Sequence, residues 1–146
     1  MGTQLGLWLL QNLAKLPLSW LRALGALLGY VLFYVVRSRR HVVLTNLRLC
    51  FPEWTQAKRL SVARDSFVYF AQAWLDRGWL WHASEGCLRQ RLSMSGNLHA
   101  LIERQPTVLF VPHFVGLDAC SVAVILNYQV PMTAIITPQS NKVVDR

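Results

Sequence analysis

Residues 107–118, TVLFVPHFVGLD, decide how the second half of this chain folds. Thr107 to Val111 is a short apolar run behind Pro106, with the length and composition of a buried strand. His113 and Asp118 follow it, five positions apart, with Gly116 between them. On one continuous helix such positions lie about 140° apart and cannot meet. They converge only if His113 sits in the turn after a strand and Asp118 in the first turn of the next helix, and Gly116 suits that bend. So arranged, Asp118 orients the imidazole and stabilises its protonated form, while the other ring nitrogen takes a proton from a hydroxyl. The spacing fits a plainer arrangement equally well: a loop histidine and a helix N-terminal aspartate with no joint task.

The flanking sequence extends the pattern. Leu92-Ser93-Met94-Ser95 alternates like a strand, and Gly96-Asn97 ends it and opens a short helix through Arg104. Helical spacing covers Leu117 to Asn127, and Met132 to Thr137 reads as another strand. The order β-α-β-α-β around an apolar central strand predicts an α/β fold, a mainly parallel sheet flanked by helices. Ligands bind beyond the carboxyl ends of strands in such sheets, which is where His113 falls. Three short strands make a thin sheet, and residues 139–146, QSNKVVDR, read as a helix just starting. The chain is therefore expected to be the N-terminal part of a longer domain.

Before residue 84 the signal is helical. Residues 38–50 carry Val43, Leu47 and Cys50 at helical spacing, and Phe51-Pro52-Glu53-Trp54 interrupts them. Thr55 can cap a long helix over about 56–81, in which Val62, Phe67, Phe70, Ala71, Trp74, Leu75 and Gly78 supply an apolar stripe. Phe70, Trp79 and Trp81 read as core or membrane-facing packing. Asp76 is the one carboxylate deep in that stripe, either paired and buried or simply exposed.

Leu16 to Val36, LPLSWLRALGALLGYVLFYVV, has a single charge, Arg22. As a helix it would extend about 31 Å, close to the hydrocarbon thickness of a bilayer. Arg22 lies near one end, where it could snorkel, and Trp20, Tyr30 and Tyr34 are amphipathic. Arg37, Arg39 and Arg40 follow at once, which places that flank on the cytoplasmic side. A surface-lying helix is the main rival, since residues 5–14 are also apolar and Pro17 can break the run. A cleaved signal peptide fits poorly, because arginines stand where small residues would be needed. Residues 1–37 are thus expected to form a membrane anchor with a basic flank, and 38–146 the domain that it carries.

Charge supports this division. Residues 1–64 hold nine Lys/Arg against Glu53 alone, whereas six bases balance six acids in residues 65–146. The chain's whole net charge of +8 therefore travels with its most apolar segment. That pattern points to an anionic membrane surface before nucleic acid, which is the poorer fit because no recognition motif is present and the basic cluster abuts a hydrophobic span. Cys50, Cys87 and Cys120 are widely spaced, and His41, His82 and His99 are scattered, so no zinc site is expected. Free thiols in a reducing compartment are the simplest reading, with a catalytic Cys120 as the sharper alternative.

Taken together, several tracts resemble the lipid A biosynthesis acyltransferases, the lauroyl/myristoyl transferases of Gram-negative bacteria. After the apolar helix and Arg40 come Asn46-Leu47-Arg48-Leu49-Cys50-Phe51-Pro52, then Ala73-Trp74-Leu75-Asp76-Arg77-Gly78. Val111-Pro112-His113-Phe114-Val115-Gly116-Leu117-Asp118 and Asn141-Lys142-Val143-Val144-Asp145 complete the series in order. The resemblance implies a glycerolipid-acyltransferase-like fold at the cytoplasmic face of the inner membrane. It implies an acyl carrier protein thioester as donor, a lipid A precursor as acceptor and no cofactor. His113 would be the general base and Asp118 its orienting carboxylate, with Gly116, Asp76 and Asn141 as substrate-binding positions. The family often has glutamate where Asp76 stands, and some members carry arginine in place of Thr137. Two further readings remain open at this point: transfer to another lipid such as lysophosphatidate, and a non-catalytic membrane-bound fragment that binds lipid or a partner.

Overall fold

The computed structural model describes residues 2–13, 15–96, 99, 103, 106–108, 110–112, 114–128 and 133. Its helices include α1 (Gly2–Leu13), α2 (Leu18–Val35), α3 (Arg37–Cys50), α4 (Gln56–His82), α5 (Glu85–Arg91) and α6 (Leu117–Tyr128). The expected helices over 38–50, 56–81 and 117–127 are present, each within a residue of its predicted bounds.

The expected α/β sheet is not. Among the described residues none lies in a strand. Residues 92–95 and the described part of 107–111 are irregular, and Val108 and Phe110 are 95% and 92% exposed, where a buried central strand would have covered both. The physical reason is that an apolar run does not make a strand by itself. Its N–H and C=O groups need a partner ladder, and nothing in the local sequence specifies one. Residues 97–104 and 132–137 lie almost wholly outside the described residues; Thr133, the one described member of the last run, is in no strand.

The chain divides into two units, one of Lys15–Asp76 and one of Met1–Ala14 with Arg77–Arg146. In the first, Pro17 opens α2 with its own carbonyl accepting from the N–H groups of Trp20 and Leu21. Leu21, Gly25, Gly29 and Phe33 recur every four residues, and this stripe is buried. The glycines on it allow backbone contact with α4: a Cβ on Gly25 would lie 2.6 Å from Gln72 Cγ, and one on Gly29 only 2.4 Å from Val68 Cα. This is the small-xxx-small spacing by which apolar helices pack closely. The other faces of α2 stay open, with Trp20, Leu27, Tyr30, Tyr34 and Val35 all exposed.

Val36 alone separates α2 from α3, and its N–H donates to the Leu32 carbonyl at 2.8 Å. Below that joint Phe33, Ala63 and Phe67 form a core cluster, covered by Val43, Leu44, Leu47 and Leu60. The Phe33 ring meets Phe67 edge-on at 5.5 Å and carries the Arg40 guanidinium over its face at 5.3 Å. As the sequence predicts, Thr55 caps α4, its Oγ1 accepting from the Lys58 N–H at 3.2 Å. Phe51 and Trp54 stack at 4.2 Å in the loop before it.

In the second unit, Leu10, Trp79, Leu80, Leu88, Ala123 and Val124 are the buried apolar residues. α5 is capped by Ser84, which accepts from the Cys87 N–H, and packs against α6. The aromatic expectations divide accordingly. Trp79 is core, whereas Phe70 and Trp81 are 55% and 49% exposed.

Candidate active site

The turn before α6 is built around Gly116. Its φ of +89° lies in the left-handed region that a side chain resists. The Phe114 N–H donates to the Pro112 carbonyl at 2.8 Å and the Leu117 N–H to that of Phe114 at 3.3 Å. The Gly116 carbonyl then accepts from Ala119 and Cys120, which starts the helix. Asp118 falls in the first turn of α6, the position predicted for it. A carboxylate there is favoured by the helix dipole.

Asp118 is gripped by Arg77. The guanidinium Nε donates to Asp118 Oδ2 at 2.6 Å, across 41 residues of sequence, with side chains 33% and 47% exposed. Arg77 is not among the residues that spacing singles out; in the sequence it is only one member of the Ala73–Gly78 tract. Nothing in a single sequence pairs residues so far apart. One signal was available: a cation beside Asp76 on a helix otherwise read as apolar.

Gly116 and Asp118 thus share one turn. Asp76 belongs to the other unit, where it forms an ion pair with Arg22 of α2 and its side chain is 17% exposed. That settles the choice left open for Asp76 in favour of pairing, and it gives Arg22 a partner on α4 in place of simple snorkelling. Gln72 fixes the same corner, its Nε2 donating to the Arg22 carbonyl at 3.0 Å. His113 and Asn141, the remaining site candidates, lie outside the described residues, as does Thr137.

No group of three His, Cys, Asp or Glu among the described residues could hold a metal ion. The three cysteines are free thiols, Cys50 exposed and the others half-buried. α2 is the one described helix long and apolar enough to cross a membrane.

Comparison with known proteins agrees with the sequence tracts. The family model for bacterial lipid A biosynthesis acyltransferases matches residues 1–146. A lipid A biosynthesis acyltransferase of Haemophilus influenzae is 32% identical over 99% of this chain and 46% of its own length. The lipid A biosynthesis lauroyltransferase and palmitoleoyltransferase of Escherichia coli are each 24% identical, over 98% of the chain and 47% of their own length. The chain therefore spans about half the length of the curated relatives it matches. No solved structure matches it.

Proposed function

Because the chain belongs to the bacterial lipid A biosynthesis acyltransferase family, we propose that it supplies the N-terminal part of an enzyme that acylates a hydroxyl of a lipid A precursor. The donor in this reading is an acyl carrier protein thioester. The observation that carries it is the turn at Gly116, with Asp118 held by Arg77 directly after it.

In the mechanism His113 takes the proton of the acceptor hydroxyl as its oxygen attacks the thioester carbonyl. The tetrahedral intermediate collapses with loss of the carrier thiolate, which regains a proton, and the acyl chain is left as an ester. Asp118 orients the imidazole, and Arg77 fixes the carboxylate that does so. In this reading backbone N–H groups near Gly116, at the start of α6, stabilise the oxyanion. No covalent acyl-enzyme is needed.

The reading places α2 in the inner membrane. Its exposed apolar faces meet lipid, and Arg37 and Arg39, both exposed, stay on the cytoplasmic side. Mass spectrometry of lipid A from cells with and without the gene tests the assignment. Loss of one secondary acyl chain supports it, and unchanged lipid A with an altered phospholipid profile refutes the acceptor.

A further inference from the structure

A groove of about 280 Å³ lies between α3 and the start of α4, wholly within the Lys15–Asp76 unit. Its walls are His41, Leu44, Thr45 and Arg48 from α3, and Gln56, Arg59 and Leu60 from α4. The first four fall at i, i+3, i+4 and i+7, one helical face, and the last three at i, i+3 and i+4. None of the seven is acidic. Arg48 and Arg59 are the two fixed charges, with His41 as a third nitrogen base.

The groove's setting names its ligand. Leu44 and Leu60 also cover the Phe33 cluster, so the apolar floor of the groove is the roof over the last buried residue of α2. The groove therefore opens at the arginine end of the apolar helix, the level of lipid headgroups if α2 is embedded. Around it, residues 37–64 carry Arg37, Arg39, Arg40, Arg48, Lys58, Arg59 and Arg64 against Glu53. Guanidinium groups recognise phosphate by paired hydrogen bonds, and an anionic leaflet concentrates such ligands at this depth. Leucine at the base and cations at the rim match a lipid whose acyl chains are apolar and whose phosphate is charged.

We propose that this groove binds the phosphodiester of an anionic bilayer phospholipid, with Arg48 and Arg59 on the phosphate and His41 beside them. The site shares no residue with the Gly116–Asp118 turn. The inference rests on α2 being embedded in the membrane, as in the proposed function, but its test reads binding and not acyl transfer, so the two can fail separately.

The full chain in neutral maltoside micelles is titrated calorimetrically with dioleoyl phosphatidylglycerol, dioleoyl phosphatidylcholine and inorganic phosphate. One-to-one saturable binding of phosphatidylglycerol is expected, weakened about tenfold or more by Arg48→Gln, the scale of losing a charge-assisted hydrogen bond. Arg59→Gln should do the same, with helix content read by circular dichroism because Arg59 also donates to the Phe51 and Pro52 carbonyls. The double change Arg37→Gln/Arg39→Gln, outside the groove, should cost less than Arg48→Gln alone. Equal losses from both sites would reduce the effect to diffuse charge and overturn the proposal. Equal affinity for phosphatidylcholine, or for phosphate alone, would overturn the ligand class. Association of the chain with neutral vesicles reads the embedding of α2 independently.

Discussion

Arg77 on α4 holds Asp118 at the start of α6 through an Nε–H to Oδ2 bond of 2.6 Å. With both side chains a third or more exposed, this pair adds only ~0–1 kcal/mol to stability. Its consequence is orientation: one carboxylate oxygen of Asp118 is fixed by a side chain from outside the turn.

Arg77→Ala in the full-length enzyme should therefore lower kcat for acyl transfer by about ten- to a hundredfold, the cost of a small misplacement near the reacting groups. KM and the unfolding midpoint should change little. Arg77→Lys should recover part of the rate. A loss carried in KM alone would argue against a positioning role.

Gly116 makes a separate prediction because its backbone conformation, and not its space, is restrictive. A Cβ there would meet nothing within 4 Å, yet φ of +89° strains any L side chain. Gly116→Ala should cost about 1–2 kcal/mol locally and reduce transfer, while the overall helix content by circular dichroism stays unchanged.

The opposite case is Gly29, whose missing Cβ is what lets α2 touch α4. Gly29→Ala drives a methyl into Val68 Cα and should destabilise by about 1–3 kcal/mol. Gly6→Ala and Gly86→Ala, with open space around each, should be neutral or stabilising by up to about 1 kcal/mol. Denaturant unfolding in neutral micelles checks all three, and equal effects would refute the close approach.

Arg22 and Asp76 close the other end of the same helix pair. Asp76→Ala leaves Arg22 beside apolar helices and should cost about 1–3 kcal/mol, less than a fully buried pair because Arg22 is 38% exposed. The double variant Arg22→Leu/Asp76→Leu should recover much of that loss. Asp76→Glu should keep the pair. Additive single effects would show that the two side chains do not interact.

How much of this was readable in advance follows from the range of each interaction. α3, α4 and α6 were legible because their signals are local: apolar spacing near 3.6 residues, Thr55 as a cap, and Gly116 and Asp118 at a helix start. The sheet was misread because strand pairing is not local. Val108 and Phe110 look like a buried strand in sequence and stand exposed in the structure. The ion pairs of Arg22 and Arg77 span 54 and 41 residues, beyond any spacing rule. The Gly25–Gly29 contact is of the local kind, since two glycines four apart in an apolar helix mark a close helix neighbour.

The role of His113 as general base in acyl transfer to a lipid A precursor is the step on which the proposed function depends. It is tested most directly by assaying the purified full-length enzyme and its His113→Ala variant with an acyl carrier protein thioester and a lipid A precursor, following the acylated product by mass. The unaltered enzyme should form the product and His113→Ala should form none above background. Product formation by His113→Ala at a rate near that of the unaltered enzyme would rule out His113 as the general base.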